Sequence, residues 1–180
     1  VAESSDSSSP ASAKSTPTKS ATPTPSPTEV KESRSPRGNL LGEVGDTASI
    51  LSLDEEPLVE FTINSITVDP KCTAPRAEKP ENGHFLVLDV DVETQQGMEE
   101  VLYNEFAMNP YFFKVIDKDG KTSNADLGSS ASYSCLKDGE ELPGLIGDAE
   151  TASGKVILDT DVESGTLVFE YDELGWEWGY

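Results

Sequence analysis

From position 38 onward, apolar residues recur with a period of two, in short runs rich in β-branched and aromatic side chains and bounded by Gly, Pro, Asn and Asp. The pattern predicts strands at 46–51, 58–68, 84–94, 111–117, 153–159 and 165–171, with a shorter pairing segment at 130–136. In the clearest run, Phe85-Leu86-Val87-Leu88-Asp89-Val90-Asp91-Val92-Glu93, the second half sets Val against Asp or Glu, the mark of a strand with one wet face. Val115-Ile116-Asp117-Lys118-Asp119-Gly120-Lys121 reads as a strand entering a tight turn, with Gly120 free to adopt positive φ. The best helical stretch is 97–108, where Met98, Val101, Leu102 and Glu105 are spaced for a turn or two. Strands joined by turns, without crossover helices, specify an all-β antiparallel sandwich.

Residues 1–37 break the pattern. Ser, Thr and Pro fill 22 of these 37 positions, leaving too little apolar surface to offset the entropy of ordering the backbone. We therefore expect a disordered Ser/Thr/Pro-rich tether over 1–37 and one folded domain over 38–180. As a flexible coil the tether would reach roughly 30–35 Å, and about 110 Å if fully polyproline, lengths suited to spanning a cell-wall layer. It carries a net charge of +1, so the whole-chain value of −21 places −22 on the domain. Such a surface repels phosphate backbones and anionic lipid headgroups, which argues against nucleic acid and direct lipid binding and favours basic or cationic partners. No apolar stretch approaches the roughly 18–20 residues of a membrane span. The expected membrane link is an N-terminal lipid anchor, on a secretory leader removed just before Val1, which would make the protein a surface-anchored lipoprotein or a secreted one.

Cys72 and Cys135 are the only cysteines. An even count beside a secreted-type tail favours a disulfide over a metal pair or two free thiols, and two Cys without companion His make a poor zinc site.

Candidate chemistry is sparse. Asp117 and Asp119 begin a calcium-loop pattern, but Lys121 and Gly128 stand where that loop requires a further ligand and a bidentate Glu, so a plain hairpin turn is favoured. Asp89, Asp91 and Glu93 share a face that Asp159, Asp161, Asp172 and Glu173 could join to hold cations weakly. His84 is the only histidine and lies in a turn, Asn82-Gly83-His84, which leaves hydrolytic catalysis without an evident base and nucleophile. His84, Met98 and Met108 lack copper-ligand spacing, and no cofactor is called for. Trp176, Trp178 and Tyr180 alternate along one strand face. That row is either core packing or, if exposed, a platform for a sugar or a partner protein.

Four stretches of the domain act together as a signature. They are Gly42-Glu43-Val44-Gly45-Asp46-Thr47, Gly83-His84-Phe85-Leu86-Val87-Leu88-Asp89-Val90, Phe113-Lys114-Val115-Ile116-Asp117-Lys118-Asp119-Gly120, and the segment from Leu145 through Gly154-Lys155-Val156-Ile157-Leu158-Asp159 to Gly165-Thr166-Leu167-Val168-Phe169. In their order the domain resembles the DUF4352 family of actinobacterial and Gram-positive secreted domains, related to the mycobacterial MPT63 antigen. It departs from the family pattern at Glu93-Thr94 and at Ile146. The resemblance implies an immunoglobulin-like β-sandwich in an exported lipoprotein or secreted antigen, and no catalytic residues. The expectation is a non-enzymatic extracytoplasmic binding domain for an envelope protein or glycan, the alternative being an envelope lipoprotein that senses or carries a metal ion or small ligand.

Overall fold

Eight strands form the frame: β1 Leu40–Leu41, β2 Thr47–Leu51, β3 Pro57–Val68, β4 His84–Thr94, β5 Phe113–Asp117, β6 Thr151–Thr160, β7 Gly165–Tyr171 and β8 Leu174–Gly179. The structure is a computed structural model and describes residues 33–98, 102 and 105–180. One sheet has the order β1-β8-β7-β5 and the other β2-β3-β4-β6. Every pairing is antiparallel except that of β1 with β8. The two sheets enclose one core, as expected of an immunoglobulin-like sandwich.

The core is aromatic at its centre. Phe61 of β3 meets Trp176 of β8 and Phe169 of β7 edge-on, with centroids 5.1 and 5.3 Å away, a geometry that aromatic quadrupoles favour. Around it pack Ile50, Ile63, Leu86, Leu88, Val90, Leu158 and Leu167, all nearly inaccessible. The alternation along β4 is as the sequence implies: Val90 and Val92 are buried, while Asp91 and Glu93 are exposed. Its first half differs. Phe85 and Val87 point away from the core and are also buried, in a second small cluster with Ala131, Cys135, Leu136 and Ile157. A strand covered on both faces reads as a continuous apolar run, and residues 85–88 are one for that reason.

Two expected strand segments are helical turns. Residues 111 and 112 belong to a 3-10 turn, Pro110–Phe112, which delays β5 to Phe113. Asn109 caps it, its side chain accepting from the Tyr111 N–H, and Pro110 supplies a preset φ. The expected pairing segment at 130–136 is a one-turn helix, α1, Ser130–Tyr133, because the Ser129 side chain accepts from the Ser132 N–H and caps it. Of the stretch 97–108, Leu102 bonds back to the Met98 carbonyl at 2.6 Å as a helical turn would, and residues 99–101, 103 and 104 lie outside the described residues. Gly120 has φ of 83°, as its turn requires.

The folded part also takes in residues 33–37, which the composition places in the tether. Leu41 donates its N–H to the Ser33 carbonyl at 2.8 Å, and Ser35 is buried. Residues 1–32 lie outside the described residues.

Candidate functional site

The tryptophan row does not reach the surface. Trp176 and Trp178 keep only 3% and 2% of their area exposed and join the central aromatic cluster, since β8 turns its large residues toward the partner sheet. Tyr180 is half-buried, its hydroxyl donating to the Val162 carbonyl, and burial pushes its pKa up to about 12. Of the two readings of Trp176, Trp178 and Tyr180, core and seam packing is the one observed, and Trp176 and Trp178 offer no exposed platform for a sugar or a partner protein. Glu177, on the opposite face of β8, is also buried. It accepts from Arg37 Nε and Nη2 at 2.9 Å each, from Ser35 Oγ at 2.9 Å and from Asn39 Nδ2 at 2.8 Å. Burial raises the Glu177 carboxyl, and these four bonds outweigh it and leave the group below its usual range.

Several of the candidate acids are likewise engaged within the fold. Asp117 Oδ1 accepts from the N–H groups of Asp119 and Lys121, closing the hairpin turn rather than facing a cation. Asp91 accepts from Asn64 Nδ2 and Ser153 Oγ, and Asp89 lies 3.7 Å from Lys155. Asp159 is wholly buried. Its carboxylate accepts from the backbone of Glu81 (2.7 Å) and Asn82 (2.9 Å) and from Ser129 Oγ (2.6 Å), so it acts as a clamp between loops. Among the described residues no three His, Cys, Asp or Glu converge as metal ligands.

His84 Nδ1 lies 2.7 Å from Asp69 Oδ2. Donating its hydrogen bond to Asp69 raises the His84 pKa above 6.5 against a smaller opposing effect of burial, and the charges of Asp69 and Glu163 raise it further. This is two-thirds of a catalytic triad in outline. Among the described residues no hydroxyl or thiol hydrogen-bonds to the imidazole.

One exposed cleft lies beside β6. A cleft of about 150 Å³ is floored by Met108, Pro110, Leu142, Val156 and Ile157 and rimmed by Tyr133, Glu141 and Lys155. Tyr133, 53% exposed, projects from α1 on its rim; Tyr111, 83% exposed, stands one residue beyond Pro110, and Leu145 stands exposed one residue beyond Gly144, and Pro110 and Gly144 both line it. Burial pushes the Tyr133 hydroxyl up, and Tyr111, Asp126 and Glu141 add to the shift. The Tyr133 ring and Glu141 attract positive charge, which Lys155 on the same rim partly offsets.

The elements that hold Tyr133 are well fixed. Cys72 and Cys135 form a disulfide just past α1, closing a separation of 63 residues, and the Cys135 carbonyl accepts from the N–H groups of Thr73 and Ala74. At the other end of α1, Ser129 is anchored on buried Asp159, and Glu81 accepts from the Ala131 N–H. Gly154 lets the strap through Glu141 and Leu142 lie against β6, for a Cβ there would come within 2.5 Å of the Leu142 nitrogen. Neither tyrosine is foreseen from the sequence. The available signal is a lone aromatic in a run of small polar residues, Ser129-Ser130-Ala131-Ser132-Tyr133-Ser134, and another directly after the Asn109-Pro110 turn start, where neither has an apolar period to draw it inward.

No family model matches the chain, so the DUF4352 label has no support from that comparison. No curated protein matches it either. Among solved structures it is similar to the secreted protein MPT63 of Mycobacterium tuberculosis, at TM-score 0.50 and 12% identity, covering 79% of this chain and 98% of that one. An uncharacterized β-sandwich protein from Clostridium difficile 630 aligns at TM-score 0.41 and 14% identity, over 86% of this chain and 99% of that one. At such identity the likeness to MPT63 concerns the β-sandwich fold alone. No helix among the described residues is long and apolar enough to cross a membrane, which leaves β-barrels aside.

Proposed function

We propose that this is a non-enzymatic extracytoplasmic interaction domain, held at the cell surface by its Ser/Thr/Pro tether, whose binding face is the tyrosine cleft beside β6 and whose partner is a cationic surface of an envelope protein. The observation that carries the reading is the exposure of Tyr133 on a turn that the disulfide and Asp159 hold in place, with Tyr111 exposed on the turn that Asn109 caps. Exposed aromatics on a rigid support make strong contact points, because little side-chain freedom is lost when they are covered. The disulfide supports an oxidising compartment, and the secreted nature of MPT63 is consistent with export of this chain too. The net charge of −21 supports a basic partner.

The test is cross-linked capture of envelope proteins by the full chain, compared with the double variant Tyr111→Ala/Tyr133→Ala. Both positions are exposed, so the variant should keep its stability to within about 0.5 kcal/mol. A basic partner held by the native chain and lost, at least about tenfold, in the variant is the expected result. Equal capture by both proteins would remove the cleft from the proposal.

A further inference from the structure

A sandwich has four sheet edges, and here three are covered by the chain's own segments. Ser33 bonds along β1, residues 121–123 bond along β5 through Asp117 and Val115, and Leu127, Glu140 and Leu142 bond along β6 at Lys155 and Asp159. The fourth edge, β2, bonds only to β3 among the described residues. Open edges present unpaired N–H and C=O groups and are usually guarded by charged side chains or proline. The five residues Thr47-Ala48-Ser49-Ile50-Leu51 carry neither, in a chain where charged residues make up 26% of positions, and a register shift at Ile50/Leu51 interrupts the edge only at its end.

The surroundings of this edge select its occupant. Glu43 and Asp46 stand exposed at its start, and the turn after it places exposed Asp54, Glu55 and Glu56 at its end. Leu51 and Leu53, 45% and 82% exposed, add apolar area at that same end. A second copy pairing antiparallel with β2 would bring its own acids against these and be repelled. A neutral extended strand with basic residues at both ends would instead complete the ladder and neutralise the acids.

We propose that β2 is a β-augmentation site, which takes an extended segment of a partner protein, uncharged in its middle and flanked by Lys or Arg. Main-chain hydrogen bonds to Thr47–Leu51 supply the attraction, and the flanking charges set the register. β2 and β6 are opposite edges of one sheet, so this site is separate from the tyrosine cleft and stands or falls independently of it.

The probe is a labelled synthetic peptide, Lys-Lys-Val-Thr-Val-Thr-Val-Lys-Lys, titrated against the full chain by fluorescence anisotropy. Its Thr→Pro counterpart has the same charge but cannot pair as a strand. Binding of the first at least about tenfold tighter than the second is expected, together with amide shifts confined to Thr47–Leu51 and its flanking turns. Ser49→Lys and the triple variant Asp54→Lys/Glu55→Lys/Glu56→Lys, each confirmed to be folded, should weaken binding about tenfold or more. Equal binding of both peptides would show bulk charge attraction and overturn the proposal. Amide shifts away from β2 would overturn it too, as would a dimer in sedimentation that Ser49→Lys abolishes, since that would make a second copy the occupant.

Discussion

Neighbouring residues of β4 feed two apolar clusters that are held by different means. Leu86 and Leu88 enter the inner core, where most strands of both sheets contribute and Phe61 sits among Phe106, Phe169, Trp176 and Trp178. Phe85 and Val87 enter the outer cluster, which has six buried members, and it is closed by loops rather than by a second sheet. The inner core rests on burial and aromatic packing. In the outer one a disulfide, a capped helical turn and a buried carboxylate replace the missing apolar area. A small cluster that cannot hold loops by burial needs covalent and polar ties, and the candidate binding face is built on those ties.

The contrast can be broken at several strengths. Phe61→Ala should cost about 3–5 kcal/mol, measured by urea denaturation, because the ring touches both sheets and the cavity cannot collapse onto a flexible neighbour. A cost below about 1 kcal/mol would mean that the inner core is not the main source of stability. Reducing the disulfide, or Cys72→Ser/Cys135→Ser, should cost up to about 4 kcal/mol in the chain-entropy model. Hydrogen exchange should then speed up first around α1 and residues 70–83, with β3 and β8 still protected; uniform acceleration would erase the distinction between the clusters. The smallest effect belongs to the half-exposed pair at the start of β4. His84 is raised above 6.5, so its contribution is complete below that pH and is lost as pH rises through the folded-state value. Asp69 is lowered below 3.8, first by its hydrogen bond to His84, so its contribution is present above 3.8 and lost as pH falls through its folded-state value. His84→Gln should therefore lower Tm slightly at pH 5 to 6 and leave it unchanged near pH 9. An equal loss at both would assign the effect to packing.

The inner core was legible from the sequence, and the outer cluster much less so. Period-two patterning located β3, β4 and β7 nearly to the residue, because each places one face against a sheet. It could not tell that Phe85 and Val87 were covered by α1, since a strand buried on both faces looks like any apolar run and a Ser-rich helical turn has no apolar period. Two cysteines gave the disulfide by arithmetic. The tryptophan row was correctly seen as one strand face, yet only tertiary packing decides whether that face is inside. That three side chains from residues 35–39 converge on Glu177 is information carried by contacts about 140 positions apart, which no local pattern holds.

That convergence has a mechanical meaning. Arg37 grips both carboxylate oxygens of Glu177, on the strand beside β1, and its fork geometry resists being rotated away. Any tug arriving through Ser33 would have to strip this ionic clasp before it could shear β1 from β8. The sheet edge would thus be shielded from drag on the chain that leads into it, much as a cable is secured to its housing before its wires reach the terminals.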